Sequence, residues 1–469
     1  MVKKHVAVFA LVILLAALPE TVRAQDATTL LTTAAKAMGA ENLKTIQYSG
    51  SGTNAGIGQN RNPGAPWPLV RVKSYTREMD FDAPASRLQV VRDQNGTEQT
   101  QNQTILPNAP WANQFDVWLS PYAFLKGAIA GPATLEAKTV AGERFNVVTF
   151  TRENRYKVSG YFDQKNMIYK VETWVDNPVF GDMLVEAVYR DYKDFSGVQF
   201  PTTIINRQGG KSTLVLVVSD VKPNAPVSIQ PQQTQGGGGG GAPPVSVQAQ
   251  RISDGVFYLM GGSHHSVAVE FADHIAVIEA PQNEARSLAV IAEVKKQIPN
   301  KPIRYLLNTH HHFDHSGGLR TYVDEGATIV THQINKDFYS KTLTAPRTLN
   351  PDRLAQSRKL PTIEAVGDKR VLSDNTRTIE LHLIKDNPHN DGILMAYLPN
   401  ERILIEVDVY TPPAPNAPAP TAVNPNTENL VANVERLKLD FERILPLHGP
   451  GVAMKADLYR AVGKTPAAN

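Results

Sequence analysis

The sequence predicts two architectures in one chain: a mainly antiparallel β N-terminal half, and an α/β C-terminal half in which sheets pack face to face with helices outside. Three features carry this reading. First, β-branched and aromatic runs at Tyr156–Phe162, Met167–Val175, Met183–Tyr192 and Thr213–Val221 are separated by turn-rich pieces such as Asp163-Gln164-Lys165-Asn166, the texture of an antiparallel meander. Second, from Val245 onward grouped strands are interrupted by amphipathic helices without strict βαβ alternation. Third, Gln230-Pro231-Gln232-Gln233-Thr234-Gln235 leads into six glycines, 236–241, and Ala242-Pro243-Pro244. Such a stretch can neither bury apolar area nor hold one backbone conformation, so it reads as a flexible linker.

At 469 residues and 42% hydrophobic content, the chain has room for two or three packed domains. The predicted organisation is a signal peptide over 1–24, a β-rich domain over 26–225, a Gly/Pro-rich linker over 226–245 and an α/β domain over 246–469. Lys3-Lys4, the apolar run from Val6 to Leu18 and Val22-Arg23-Ala24 predict export, with cleavage after Ala24. The apolar run is too short for a bilayer span and Pro19 closes it, which argues against a stable membrane anchor. The expected location is therefore the periplasm or the exterior of a bacterium. The chain contains no cysteine, which excludes disulfides, a lipid-anchored N-terminus and thiolate metal ligands, and suits an oxidising compartment. Formal charge is +3, and loss of Lys3, Lys4, Glu20 and Arg23 with the signal leaves +1. That balance, without a basic stripe, argues against nucleic acid as a partner and leaves a small molecule.

Within the first half, Asp26–Gly39 reads as a short helix with apolar spacing at Leu30, Leu31, Ala34, Ala35 and Met38, stopped by Gly39. The strand texture that follows loosely resembles the curved half-barrel sheets of periplasmic lipoprotein-carrier-like domains. In the second half the expected order is strands at Val256–Met260, Ser266–Phe271 and His274–Ile278, a helix over Glu284–Ile298 and a strand at Ile303–Leu307. A helix after His315, a strand at Thr328–Val330 and a helix beginning near Gln333 come next. Strands near Thr378–Ile384, Ile393–Leu398 and Arg402–Ile405 then precede a helix over Thr427–Leu439, whose buried stripe is Leu430, Val434 and Leu437.

The segment richest in chemistry is Asn308-Thr309-His310-His311-His312-Phe313-Asp314-His315-Ser316-Gly317-Gly318, between a buried strand and a helix. His310 and His312, two apart, project to the same side of an extended chain, and Asp314 and His315 follow as the backbone turns toward the helix. Imidazoles with a carboxylate suit zinc, and also iron, cobalt or manganese. A His-x-His-x-Asp-His string arises by chance in about 4 in 10,000 chains of this composition, and a surface histidine tract would not come with a preceding strand and a Gly-Gly helix entry.

This segment resembles the signature of the metallo-β-lactamase superfamily, and the resemblance extends over roughly 246–462. Asn387-Pro388-His389-Asn390-Asp391 resembles the third-histidine motif, Ile403-Leu404-Ile405-Glu406-Val407-Asp408 the bridging-aspartate motif, and Leu445-Pro446-Leu447-His448-Gly449-Pro450-Gly451 the final histidine motif. The resemblance implies an αββα sandwich with two divalent ions at one edge of its sheets, zinc foremost, with iron or manganese also suited. It implies that His310, His312 and His389 hold one ion, that Asp314, His315 and His448 hold the other, and that Asp408 bridges them. A hydroxide shared by the ions is then the expected nucleophile, with Asp314 the catalytic side chain that orients it or moves its proton. Glu279 departs from the family, which more often has aspartate there; the position supports the metal loop.

Other residues carry weaker readings. His311, between two ligands, points to the opposite side. His264 and His265 read as a polar hairpin loop that could line the pocket, Glu406 as structural, and the proline-rich stretch after Thr411 as either a cleft rim or a spacer. The absence of cysteine excludes a β-lactamase with a thiolate ligand, and a bridging aspartate is typical of lactonases, thioesterases and phosphodiesterases. The chain ends shortly after His448, where glyoxalase-II-like thioesterases carry a further helical domain. Ester, lactone or related small-molecule hydrolysis is thus the expected activity. β-Lactam hydrolysis is the alternative, and a periplasmic ligand-binding or carrier protein the non-enzymatic one. Because every proposed ligand lies after the linker, residues 246–469 alone are expected to keep the metals and basic activity, the first half contributing substrate recognition.

Overall fold

The computed structural model describes residues 26–94, 96–230, 245–414 and 422–465. The expected signal peptide, the glycine run of the linker and residues 415–421 of the proline-rich stretch lie outside the described residues. Among the described residues, no helix is long and apolar enough to cross a membrane.

The first half is one antiparallel sheet of eleven strands wrapped around helices. The strands are β1 (Thr45–Ala55), β2 (Leu69–Asp80), β3 (Ala85–Gln94), β4 (Thr97–Ile105), β5 (Ala133–Val140), β6 (Glu143–Arg152), β7 (Tyr156–Phe162), β8 (Ile168–Asn177), β9 (Gly181–Phe195), β10 (Val198–Gln208) and β11 (Lys211–Pro223). Their order is β4-β3-β2-β1-β11-β10-β9-β8-β7-β6-β5, so two meanders meet where β1 pairs with β11. The runs expected from the sequence are β7, β8, β9 and β11; they do not include β10, which pairs between β9 and β11, or the strands before β7. Helices α1 (Ala27–Met38), α2 (Trp111–Trp118) and α3 (Pro121–Ile129) complete this half. Asp26 caps α1 by accepting from Thr29 N at 2.6 Å, and Gly39 ends it in the left-handed conformation. Leu30, Leu31 and Met38 of α1 and Tyr122, Phe124 and Leu125 of α3 share one core with Tyr48, Val158, Val171 and Leu216 of the sheet. Burying each large apolar side chain there contributes about 1.5–3 kcal/mol.

The second half is a two-sheet sandwich. One sheet orders β12 (Gln248–Ser253), β13 (Val256–Met260), β14 (Ser266–Glu270), β15 (Ile275–Ile278), β16 (Ile303–Leu307), β17 (Thr328–His332) and β18 (Ile363–Val366) in sequence. The other orders β19 (Lys369–Ser373), β20 (Thr378–Leu383), β21 (Leu394–Leu398), β22 (Ile403–Glu406), β23 (Arg443–Pro446) and β24 (Ala453–Met454). Period-two alternation sorts the side chains between layers. Val256, Tyr258, Val267 and Val269 enter the core shared with the second sheet, whereas Phe257, Leu259 and Ala268 face the opposite core, with α4 (Glu284–Gln297), α6 (Leu319–Glu325) and α7 (Lys336–Thr342). The short α5 (Phe313–Ser316) and α8 (Arg353–Ser357) lie in the connections of this first sheet. On the far side, α9 (Pro425–Leu437) and α10 (Lys455–Ala461) supply Leu430, Val431, Val434 and Leu458 to the core shared with the second sheet. The αββα arrangement implied by the motifs is the observed one.

The two halves meet directly. The long β1–β2 connection, residues 56–68, places Arg61 on Asp391 at 2.7 Å and the Trp67 ring against Phe313. At the β8–β9 turn, Asp176 pairs with Arg347 at 2.9 Å and Asp182 accepts from the backbone N–H groups of Thr348 and Leu349.

Candidate metal centre

The parallel pairs β15–β16 and β22–β23 bring the C-terminal ends of their strands to one edge of the sandwich, the place where open α/β sheets gather functional side chains. Glu279 follows β15, the histidine loop follows β16, Asp408 follows β22 and His448 follows β23. Glu279 and Asp408 both hold positive φ, at 71° and 61°, a conformation that non-glycine residues keep only when their surroundings impose it.

Buried Asn308 and Glu279 form the loop's foundation. Asn308 donates to Glu279 Oε1 at 3.2 Å and to the His315 carbonyl at 3.3 Å, and accepts from the Tyr339 hydroxyl at 2.6 Å. Glu279 Oε1 also accepts from Thr309 N at 2.8 Å, while its Oε2 lies 2.7 Å from His315 Nδ1. A carboxylate takes that contact as acceptor, so His315 carries its proton on Nδ1 and turns Nε2 toward the site. The departure from aspartate at this position therefore preserves the supporting role the sequence suggested.

All seven expected ligands converge. His310, His312, His389 and Asp408 form one group of ligand atoms within 4.8 Å of one another, and Asp314, His315 and His448 form another, joined by His264. Asp408 stands between the two groups. Its Oδ2 lies 3.3 Å from His310 Nε2 and 3.1 Å from both His389 Nε2 and His315 Nε2, and its Oδ1 lies 2.9 Å from His448 Nε2. Burial pushes the Asp408 carboxyl up, but the charge of His315 and the imidazole nitrogens close around it outweigh this and hold the group well below the carboxylate range. Asp314 behaves alike: burial raises it, yet His264 and His315 outweigh this and hold it well below the carboxylate range. Burial alone pulls His315 down, and the neighbouring Asp408, Asp314 and Glu279 reverse this and raise it well above the histidine range. Positive charge is stabilised at this spot.

The donor set fits metal ions. His310 Nε2, His312 Nδ1 and His389 Nε2 are buried without a hydrogen-bond partner, an arrangement proteins rarely leave uncompensated. Two-coordinate nitrogens converging with a carboxylate are a zinc-class donor set.

His264 is the residue the sequence undervalued. Its Nε2 lies 3.2 Å from Asp314 Oδ2, and its backbone forms an isolated β-bridge to His448 that joins the two sheets at the site. No local pattern separates such a histidine from a polar hairpin loop. His265 instead turns to the Gly449 carbonyl at 2.9 Å. His311 faces away from both groups as expected, but it is buried and hydrogen-bonded to Asn60 and Asn390. Glu406 accepts from Tyr410 N at 3.0 Å and fixes the turn that presents Asp408.

Residues 261–452 match the model of the metallo-beta-lactamase superfamily, which supports a metal-dependent hydrolase domain in that part of the chain. Among curated proteins, the 2,4-dinitroanisole O-demethylase subunit alpha of Nocardioides sp. (strain JS1661) is 26% identical over 210 residues, covering 44% of this chain and 56% of that protein. The chain thus spans just over half the length of that relative. Similar solved structures include a metallo-beta-lactamase from Pontibacter korlensis, with 15% identity over 46% of this chain and 98% of that one at a TM-score of 0.35. The metallo-beta-lactamase FIM-1 from Pseudomonas aeruginosa in its mono-zinc form has 18% identity over 47% and 96%, also at 0.35.

Proposed function

We propose that the chain is an exported hydrolase that uses two divalent, zinc-class ions to cleave an ester, lactone or related bond of a small molecule. The observation that carries this reading is the placement of Asp408 between two groups of imidazoles, within 3.3 Å of His310, His315, His389 and His448. His310, His312 and His389 would hold one ion, Asp314, His315 and His448 the other, and Asp408 both. Bound there, such ions supply a nucleophile from water near neutral pH and polarise the scissile bond. Asp314 is placed to orient that water, since its Oδ2 faces the site between His264 and His315. His264 narrows the approach beside His448. Residues 56–68 form a wall over the histidine loop, which gives the N-terminal half a direct means of shaping substrate access.

The relative's name adds aryl methyl ether cleavage to the candidate reactions, and β-lactam opening remains the alternative. Carriage of an apolar ligand would instead use a cavity of about 690 Å³ in the N-terminal half, between α1, α3, Phe81, Trp118 and Phe150. Elemental analysis of protein purified without chelator should find about two ions per chain, and a panel of aryl esters, lactones, 2,4-dinitroanisole and a chromogenic β-lactam should show metal-dependent turnover of an ester or lactone. Uptake below one ion after supplying zinc, manganese or iron would sink the dinuclear reading. Preferred turnover of the ether or the β-lactam would reassign the substrate.

A further inference from the structure

We propose that the β1–β2 connection of the N-terminal half is a built-in part of the metal centre, with Asn60 fixing the metal-binding tautomer of His312 and Gln59 aiming Asp314. The proposal rests on the reading that these residues hold metal ions. His312 Nε2 lies 3.0 Å from the Asn60 carbonyl oxygen. A carbonyl only accepts, so Nε2 must carry the proton, and a neutral imidazole then has its lone pair on Nδ1. That Nδ1 is the buried, unpartnered atom that faces His310, His389 and Asp408. The N-terminal half therefore selects which nitrogen of His312 is free for a metal.

The orientation of Asn60 is itself over-determined. Its Nδ2 donates to the carbonyls of Asn62 at 2.6 Å and Ala65 at 3.2 Å, which leaves Oδ1 to accept from His311 Nε2 at 3.2 Å. His311 Nδ1 in turn faces Asn390 Nδ2 at 3.2 Å, and the Oδ1 of Asn390 is committed to Gly392 N. Asn390 Nδ2 also lies 3.4 Å from His312 Nε2, farther than the 3.0 Å to the Asn60 main-chain carbonyl, so the shorter contact sets the His312 tautomer. Histidine 311 thus anchors the carbonyl that orients His312, which accounts for a buried histidine that binds nothing in the metal groups.

Gln59 acts on the other group. Its Nε2 donates to Asp314 Oδ1 at 2.8 Å, leaving Oδ2 to face His264 and His315. The loop is held down by Arg61 on Asp391, by Asn62 donating to Asp391 Oδ2 at 2.8 Å and by Trp67 against Phe313. Gly58, at φ 72°, lets the backbone pass over the Phe313 ring, where a Cβ would overlap the ring. Contacts of this kind around metal ligands typically govern affinity by 10–100-fold. On this view a chain lacking the N-terminal half binds its metals poorly, contrary to the expectation that residues 246–469 suffice.

The test is chelator-competition titration of full-length protein with zinc, read beside the visible absorption of the cobalt(II) form. Three variants serve: Asn60→Ala, Gln59→Ala, and a shortened chain in which residues 56–68 are replaced by Asn-Gly. Ala55 pairs with Leu69 in register, so a two-residue turn can close the hairpin. The shortened chain should bind both ions roughly 10–100-fold more weakly. Asn60→Ala keeps the main-chain carbonyl that faces His312 but removes the side chain that holds it in place, and should weaken one step of the titration, as Gln59→Ala should the other, each with an altered cobalt(II) spectrum. Affinities within about threefold of the parent, with unchanged spectra in folded variants, would overturn the proposal. If the shortened chain fails to fold, the two point variants decide. A parent protein that takes up less than one ion would overturn the metal reading itself, and this proposal with it.

Discussion

Asp314 and His311 lie on one short turn and face opposite ways. Asp314 presents Oδ2 to His264 and His315, whereas His311 spans Asn60 and Asn390 on the far side of the loop. Asp314→Asn removes a charged ligand and a water-orienting group at once, so kcat/KM should fall by at least ~100-fold. His311→Ala should cost well under that in turnover but leaves Asn60 Oδ1 buried without the His311 partner and strips Asn390 Nδ2 of its shorter contact, a destabilisation of roughly 1–3 kcal/mol. Steady-state kinetics and urea unfolding of the two variants separate these effects. Equal losses of activity would mean that the faces of the loop have been assigned the wrong way round. At this scale the sequence was informative where ligand types recur in short, ordered strings, as in His310 to His315. It was silent on Asn60 and Gln59, because a partner 251 or 255 positions away leaves no local pattern to read.

At the scale of elements, the histidine loop is held to the sheet by Asn308, which ties together the ends of β15, β16 and β17. Its side chain contacts Glu279, the His315 carbonyl, Tyr339 and Thr331. Asn308→Ala should destabilise the chelated protein by at least ~2 kcal/mol, since it leaves Glu279 and Tyr339 short of buried partners. A change below about 0.5 kcal/mol in urea unfolding would show that the loop stands without this support. Legibility followed burial. Strands such as Val256–Met260 and Ile303–Leu307 were readable as short, mostly apolar runs, and the helix expected over Glu284–Ile298 by its amphipathic spacing. The β4 strand, Thr97–Ile105, is polar and exposed along nearly its whole length, and β1 is irregular at Gly50 and Gly52. Such strands exist because neighbours pair with them, so their own residues announce little. The same holds for α2 and α3, two short helices made stable by a concave sheet that no local window contains.

At the scale of the whole molecule, the question is whether two halves joined by a glycine run behave as one body. The β8–β9 turn argues that they do. Asp182 accepts from Thr348 N, Thr348 Oγ1 and Leu349 N at 2.7–3.0 Å, and its own N–H donates to the Pro346 carbonyl at 2.9 Å. Arg347 reaches back to Asp176 and the Asn177 carbonyl, each at 2.9 Å, while also holding the buried Asp352 at 2.8 Å. Phe180 packs on both Phe313 of the histidine loop and Phe338 of α7, which ties this contact to the site. Gly181 is the weak point for a test: its φ of 70° disfavours any side chain, and a Cβ would overlap the Pro346 carbonyl. Gly181→Ala should therefore push the turn off Pro346 without touching a metal ligand, and Asp182→Ala should loosen the same contact without backbone strain. Calorimetry of the parent should show one cooperative transition, and both variants should split or broaden it as the halves begin to unfold separately. Two independent transitions in the parent, or an unchanged single transition in both variants, would mean that the linker alone joins the halves.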